Sequence, residues 1–265
     1  HTDNDNTVKL INLADKSWKE EIIKTKHPLE FFGGKSLSSK IVADEVPPNS
    51  NPLSSANKLI ISSGFLGGTL APNSGRASLG AKSPLTNGIK ESNVGGKAPA
   101  FLGQQDIRGI VFEGEAPNWV LAKIKDGKVE LEDAQEFIGM NNYELSRKLM
   151  KKYGNRIGSF VIGTAGEKRC LAASIGSIDL QGYPSRHAGR GGLGAVMGSK
   201  RLKAVVVFPP NKIQINYYDY PTFKEIAKNW SRDLYKKKRQ FSKYGTLGGL
   251  STMNGVHGLP TQNYR

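Results

Sequence analysis

The sequence has 265 residues, 37% of them hydrophobic, and a formal net charge of +15 at pH 7. Its single cysteine, Cys170, excludes a disulfide framework and a cysteine-ligated cluster within these residues, and no apolar run reaches the ~20 residues that a membrane span needs. The charge predicts an anionic partner, for which nucleic acid, an acidic protein and a phosphorylated cofactor are all candidates. Because Cys170 precedes an apolar run, we expect a buried, structural thiol.

The first predicted elements are a strand, a helix and a second strand. Alternating residues predict a strand over 8–13, and a helix is predicted over 28–45 with an interruption at Gly33-Gly34. The apolar run 58–63 predicts a buried strand. A glycine-, serine- and asparagine-rich passage follows over 64–103. Its segment from Gly75 to Gly96, taken alone, favours an ordinary turn-rich loop.

The central part of the sequence is mostly predicted strand. Asp126-Gly127 separates two apolar-rich runs and is typical of a tight hairpin turn. Asn142 is predicted to cap a helix that ends at Gly154. The predicted strands lie at 109–114, 119–125, 128–132, 160–163, 171–175 and 202–208.

The character of the sequence changes after Pro210. Phe223, Ile226 and Trp230 fall at helical spacing, and the basic run 236–239 is interpreted as a solvated helix face. We therefore predict an α+β, mainly β domain over residues 1–210, followed over 211–265 by the start of a helical second domain that is incomplete.

The most informative motif lies within 185–200, which combines closely spaced glycines with arginine, histidine and lysine. Such glycines allow backbone N–H groups to converge on an anion, and arginines add bidentate contacts to phosphate. Gly189, Gly191 and Gly194 also match the G-x-G-x-x-G fingerprint. We reject a dinucleotide site because 181–184 is turn-like and the next strand begins within about ten residues, too soon for a crossover helix.

A second segment has the same unusual composition. It contains Gly75-Arg76, the run 82–86, and Ser92-Asn93-Val94 followed by Gly95-Gly96. Two such segments in one chain indicate a shared anion site more strongly than either does alone.

Together these motifs resemble the aldehyde ferredoxin oxidoreductase family. The resemblance runs from about Val8 to the end of the sequence and is strongest over 188–200, A-G-R-G-G-L-G-A-V-M-G-S-K. The supporting motifs, in the family's order, are 57–61, 64–68, 71–72, 75–76, 82–86, 95–96, 163–167 and 243–246.

The resemblance implies a fold and an activity. The expected fold is the family's α+β, mainly β, two-sheet saddle-like N-terminal domain. Family members are cytoplasmic enzymes that oxidise aldehydes to carboxylic acids and pass electrons through a [4Fe–4S] cluster to ferredoxin. Their tungsten, or molybdenum, is held by the dithiolenes of two pterins, a bis-pterin cofactor whose phosphates are bridged by magnesium.

The resemblance also implies site residues, none of them catalytic. The magnesium ion would take backbone carbonyls from Asn93 and His187. The implied cofactor-binding residues are Arg76, Asn93, Val94, Gly95, Arg186, His187, Ala188, Gly189 and Arg190.

Three departures from the family pattern bear on function. His187 stands where the family commonly has alanine, so its side chain must find room near the cofactor, and Phe65 replaces a usual proline. The family's cluster cysteines and acid–base residues have no equivalent in these 265 residues. We therefore expect the chain alone to be inactive, without a ligand to the iron–sulfur cluster. Its expected partners are the remaining catalytic domains, on the same or another chain, ferredoxin and the aldehyde.

A stand-alone carrier protein and a nucleic-acid-binding protein are the two alternative functions. A non-catalytic, stand-alone protein of this fold would carry a pterin cofactor or bind another anion. Nucleic-acid binding ranks last, because the glycine-rich segments lack interleaved aromatic residues for base stacking and no recognition motif is present. We thus expect no nucleic-acid or membrane partner, and leave a homo-oligomer open.

Overall fold

A computed structural model describes residues 6–23 and 33–264. The chain divides into two compact units, His1–Thr69 with Asn73–Asn216 and Leu70–Pro72 with Tyr217–Arg265. The strands of the described residues all belong to the first unit.

The first unit combines strands and helices, which confirms the predicted α+β class. Its strands are β1 (Asn6–Asn12), β2 (Ser17–Ile23), β3 (Leu59–Ser63), β4 (Arg76–Lys82), β5 (Ile89–Gly95), β6 (Gly109–Glu113), β7 (Val120–Lys125), β8 (Lys128–Asp133), β9 (Gly158–Val161), β10 (Ile175–Ser177), β11 (Arg186–Ala188) and β12 (Leu202–Val207). Its helices are α1 (Gly34–Glu45), α2 (Lys97–Gln104), α3 (Asn142–Tyr153), α4 (Thr164–Glu167) and α5 (Leu193–Ser199).

The strands form two mixed sheets of six. The first has the order β2-β1-β6-β3-β4-β5 and the second β11-β10-β9-β12-β7-β8. Both sheets contribute to the largest apolar core, which contains Leu79 and Phe112 of the first and Phe160 and Val205 of the second. Removing this much apolar surface from water is the main stabilising term of the fold. We call the faces that meet in this core the inner faces.

A helix covers the outer face of each sheet. Leu37 of α1 packs in a smaller core with Ile60 and Val111 of the first sheet. Leu145 and Leu149 of α3 pack with residues of the second sheet that include Val161 and Val206. Each strand therefore alternates between an inner and an outer face, and the register decides which face a side chain occupies.

Several predicted elements are confirmed. The strand pair β7 and β8 closes around Asp126 and Gly127, both at positive φ, as a two-residue hairpin requires. Helix α3 ends at Gly154, but its N-cap is Asn141 rather than the predicted Asn142. The Asn141 side chain accepts hydrogen bonds from the N–H groups of Tyr143 and Glu144, both at 3.0 Å.

Other predictions were wrong. The segment 75–96 is not a turn-rich loop, since it contains β4 and β5. Its strands escape recognition because the inward residues of β4 are small, Ala77 and Ala81 on either side of Leu79. The strand predicted over 171–175 is mainly turn, and β10 begins only at Ile175. Of the helix predicted over 28–45, residues 34–45 form α1 and residues 28–32 lie outside the described residues.

Cys170 is exposed, which corrects the expectation of a buried thiol. It lies in the turn after α4, where its N–H donates to the carbonyl of Ala165 at 2.9 Å and Arg169 adopts a positive φ. The apolar run after it does not enter the core at once, because Leu171 is itself exposed.

Two lysines are fully buried: Lys200, which ends the signature 188–200, and Lys203 on β12. Lys203 ion-pairs with Glu167 and donates to the Ile162 carbonyl at 2.8 Å. Lys200 donates to the carbonyls of Asn57 and Gly114, and the ion pairs of the described residues include none at Lys200. Desolvation lowers the pKa of Lys200 from 10.5 to about 8, against a weaker opposing effect of nearby glutamates.

The second unit is helical where it is described. Its helices are α6 (Tyr220–Lys237), α7 (Arg239–Tyr244) and α8 (Leu250–Gly255). The predicted helix is confirmed as α6, capped by Asp219, whose carboxylate accepts the Thr222 N–H at 3.0 Å. The basic residues 236–239 are exposed, as expected of a solvated surface. Among the described residues, no helix is both long enough and apolar enough to cross a bilayer.

We predict a pH-dependent stability difference between the native chain and Lys200→Met. Between pH 8 and 10.5 the folded Lys200 is largely neutral while the unfolded lysine keeps its proton, so unfolding takes up a proton. The free energy of unfolding of the native chain should therefore rise relative to Lys200→Met by about 3 kcal/mol across this interval. Urea unfolding of both proteins from pH 7 to 10.5 measures it, and a pH-independent difference would contradict it.

Candidate anion-binding site

The structure brings the two glycine-rich segments into contact at the edges of the two sheets. Ser92 on β5 accepts a hydrogen bond through Oγ from the Arg190 N–H at 3.2 Å. Ser83, which follows β4, donates through Oγ to the Gly191 carbonyl at 2.8 Å across 108 positions of sequence. These two bonds attach residues 189–191, here called the glycine loop, to the first sheet.

The first sheet supplies Arg76 and Asn93 at the ends of β4 and β5. Strand pairing places Arg76 opposite Gly95. The Arg76 guanidinium donates through Nε to Asn93 Oδ1, and Nη2 lies 3.4 Å from the Asn93 carbonyl oxygen. Asn93 in turn donates through Nδ2 to Ser78 Oγ at 3.3 Å. Because the partner of Arg76 is a neutral amide, its positive charge remains uncompensated there. Val94 is buried in the core and points away from this surface.

The second sheet supplies Arg186 from β11, its edge strand. Arg186 pairs with Ser177, and Ser177 pairs with Phe160 of the inner core. Paired residues share a face, so Arg186 stands on the inner face of the second sheet, as does Ala188, which is buried. Arg186 itself is exposed because β11 has no further strand beyond it.

The side chain of His187 lies on the opposite face from Arg186. It pairs with Gly176, which pairs with Val161 of the outer core beneath α3. His187 Nδ1 lies 3.0 Å from Ser174 Oγ. The histidine that replaces the family's alanine therefore finds its room on the outer face, away from Arg186.

Asp179 organises the turn that leads into β11. One carboxylate oxygen accepts the N–H groups of Gln181 and Tyr183, both at 2.9 Å, and the other accepts the Ser185 hydroxyl at 2.6 Å. Desolvation opposes ionisation of Asp179, but these hydrogen bonds and the charge of Arg186 outweigh it and lower its pKa. An ionised Asp179 thus fixes the turn immediately before Arg186.

Most glycines of the signature allow close backbone packing and do not border the site. A Cβ at Gly192 would overlap the Leu171 carbonyl, and one at Gly198 would overlap the Gly166 carbonyl. Gly191 has φ of +81°, and a Cβ there would overlap Cγ of Lys90. Gly189 differs from all of these. It is exposed, lies outside the positive-φ region, and a Cβ on it would meet nothing within 4 Å.

The arginines of this surface form no ion pair within 4.0 Å in the part of the chain that the structure describes, although Arg186 is near enough to Asp179 to lower its pKa. Arg76, Arg186 and Arg190 are all exposed. In the part of the chain that the structure describes, arginine ion pairs within 4.0 Å occur only at Arg108, Arg169 and Arg201. Arg190 adjoins the exposed Gly189 in the chain and Arg186 lies three residues before it, whereas Arg76 stands at the start of β4. Guanidinium groups of this kind can bind phosphate oxygens.

A magnesium ion fits this surface less directly. The Arg76 guanidinium occupies the neighbourhood of the Asn93 carbonyl oxygen, and a cation at that oxygen would be repelled by it. Within residues 6–23 and 33–264, no group of three or more His, Cys, Asp or Glu side chains could hold a metal. Ligation by backbone carbonyls of Asn93 and His187 would need a shift of Arg76.

The G-x-G-x-x-G match has a different structural role from a dinucleotide site. A short helix, α5, does follow it, contrary to the reason given for rejecting that function. However, β11, β10, β9 and β12 are joined by three antiparallel pairings, so β11 and β12 run antiparallel. A dinucleotide-binding βαβ unit needs parallel strands, and this arrangement excludes one here.

Two serines important to the site, Ser83 and Ser92, were not assigned a role from the sequence. Their hydroxyls face the glycine loop only because β4 and β5 form a hairpin. Recognising the alternation of buried and exposed residues in 89–95 would have placed Ser92 on the inner face with Val94.

The fold is a two-sheet α+β domain that carries exposed arginines next to a glycine-rich loop. The profile described as "Aldehyde ferredoxin oxidoreductase, N-terminal domain" matches residues 8–208. The chain belongs to the aldehyde ferredoxin oxidoreductase family.

Relatives and one solved structure agree with this assignment. The tungsten-containing aldehyde ferredoxin oxidoreductases of Pyrococcus horikoshii and Pyrococcus furiosus are 35% and 38% identical over 260 and 265 residues. These alignments cover 96% of this chain and 42% of each relative, so the chain spans about two fifths of their length. The active-site complex BamBC of benzoyl coenzyme A reductase, with 1,5-dienoyl-CoA, superimposes with a TM-score of 0.73 at 33% identity, covering 78% of this chain and 31% of that chain.

We predict that alanine destabilises the fold at Gly191 but not at the nearby Gly189. Gly191→Ala should lower the free energy of unfolding by about 1–3 kcal/mol, because the backbone is left-handed and Cβ overlaps Lys90. Gly189→Ala, the matched control, should change it by no more than about 0.5 kcal/mol. Urea denaturation of the two variants measures the difference. Equal destabilisation would contradict the separation of packing and ligand-facing glycines.

Proposed function

We propose that this chain is the cofactor-binding N-terminal part of a tungsten, or molybdenum, bis-pterin oxidoreductase that oxidises aldehydes to carboxylic acids. The exposed Arg186, Gly189 and Arg190, with the glycine loop attached to the first sheet through Ser92 and Ser83, are the observation that carries the proposal. Family membership supports the choice of cofactor, since the relatives are named as tungsten-containing enzymes. Residues 1–210 would form the cofactor domain and 211–265 the start of a helical second domain.

Each group of the site would have a distinct task toward the cofactor. Arg186 and Arg190 would neutralise phosphate oxygens, and Arg76 would contact a phosphate or the edge of a pterin ring. Gly95 and Gly189 would let the cofactor approach the backbone, with Val94, His187 and Ala188 contributing main-chain groups. When bound, the metal–pterin group supplies the two-electron redox chemistry, to which this chain contributes binding and orientation.

We further propose that the backbone carbonyls of Asn93 and His187 would hold a magnesium ion, whose charge would offset that of the cofactor phosphates. The phosphates would attract the Arg76 guanidinium away from the Asn93 carbonyl oxygen, which frees that oxygen for the ion. The His187 side chain lies on the opposite face of β11 from Arg186, so it would not compete with Arg186 for a ligand.

The rest of the enzyme would come from other domains, on the same or another chain. The one cysteine in this sequence is too few for a [4Fe–4S] cluster. Electron transfer through such a cluster to ferredoxin, in the cytoplasm, is therefore proposed for the complete enzyme.

The 265-residue chain by itself should not oxidise aldehydes. It contributes neither cluster ligands nor an acid–base group beside the metal. The check is an assay of the chain, loaded with cofactor, with an aldehyde and a viologen dye. Aldehyde-dependent dye reduction by this chain alone would contradict the proposal that it binds cofactor without completing the active site.

Arg186→Ala should weaken cofactor binding by about 1.5–3 kcal/mol, the range for a hydrogen bond to a charged group, and leave the melting temperature unchanged because Arg186 is exposed. The matched control is Arg147→Ala, which removes an exposed arginine on α3. Calorimetric titration with the bis-pterin cofactor, or with inorganic pyrophosphate, measures the affinity. Unchanged affinity, or lost stability without lost binding, would mean that Arg186 is structural.

A further inference from the structure

Lys90 lies directly against the glycine loop, although no sequence motif singled it out. It belongs to β5, and its aliphatic stem crosses Gly191. A Cβ added to Gly191 would overlap Cγ of Lys90 and lie 3.2 Å from its Cδ. The absence of a side chain at Gly191 is what makes space for the lysine stem.

The strand register places Lys90 on the same side as the groups that hold the loop. Lys90 and Ser92 are two positions apart on β5, so both occupy its inner face. Ser92 accepts the Arg190 N–H, and Ser83 holds the next carbonyl of the loop, that of Gly191. Lys90 and Arg190 therefore belong to one locally fixed arrangement.

The ammonium group of Lys90 is not neutralised by a neighbouring acid. Among the described residues, no carboxylate ion pair within 4.0 Å involves Lys90, whereas Lys58, Lys123 and Lys203 each have at least one. Glu91 follows it in sequence but points to the outer face, where it accepts the Ser78 hydroxyl at 2.7 Å. A half-buried stem with an unpaired head holds a positive charge beside the loop.

We propose that Lys90 is a further ligand-binding residue of this site and contacts a phosphate group bound at the glycine loop. The inference rests on the proposed function, in which this surface binds a phosphorylated cofactor. Restraint of the stem by Gly191 lowers the conformational entropy that a free lysine would lose on binding. The lysine would add a point charge to the fork-shaped contacts of Arg186 and Arg190.

The test separates the charge of Lys90 from its packing. Lys90→Met keeps an unbranched stem and removes the charge, and Lys90→Arg keeps the charge. Inorganic pyrophosphate is the probe, titrated calorimetrically at low and at high ionic strength. Lys90→Met should bind about three- to tenfold more weakly at low salt, with the difference shrinking at high salt as charges are screened. Lys90→Arg should bind within about twofold of the native chain.

The controls make each result decisive. Lys128→Met removes an exposed lysine from β8, in the other sheet, and should not change binding. Lys90→Gln replaces Lys90→Met should the latter fold poorly. Weaker binding by Arg186→Ala with native-like binding by Lys90→Met would overturn this inference alone. Equal loss in Lys90→Met and Lys90→Arg would also overturn it, since stem packing would then be responsible. No pyrophosphate binding by the native chain would contradict the proposed function as well.

Discussion

The attachment of the glycine loop to β5 is the contact on which the anion-binding surface depends. Two hydrogen bonds join the first sheet to the part of the chain that follows β11. The Arg190 N–H donates to Ser92 Oγ, and Ser83 Oγ donates to the Gly191 carbonyl. Both hydrogen bonds require glycine at position 191, because its backbone has a positive φ and a side chain there would overlap Lys90. These bonds hold the backbone of Arg190 and Gly191 against the β4–β5 hairpin of the first sheet.

Stability and ligand binding draw on different residues in this domain. The inner core between the sheets sustains the fold, and the buried Lys203 is ion-paired with Glu167. The arginines of the site are exposed, so removing one leaves no buried arginine partner unpaired. The same exposure concentrates positive charge, which raises the local concentration of an anionic ligand and speeds its encounter.

His187 shows how a departure from the family pattern is accommodated. On an edge strand, adjacent residues point to opposite faces, so a larger side chain at 187 goes to the α3 side and contacts Ser174. The backbone path through Arg186 and Ala188 is kept. The position therefore tolerates a bulky residue while its main-chain atoms remain next to the proposed cofactor surface.

The sequence by itself determined the family, the α+β class and the arginines and glycines near the site. Its long signature is specific. The apolar runs of β3 and β12 and the hairpin turn at Asp126-Gly127 can be recognised from local residues alone. It did not reveal β4 and β5, because small inward residues such as Ala77 and Ala81 hide the alternation.

Only the tertiary structure decided which glycines border open space and which pack against backbone. Gly189 and Gly192 look alike in sequence, but Gly192 lies against the Leu171 carbonyl and Gly189 against nothing. Likewise, Ser92 and Lys90 acquire their positions beside Arg190 through a contact across almost a hundred residues. Local sequence encodes propensity and turn geometry, whereas such long-range neighbours depend on strand register and on how the two sheets pack.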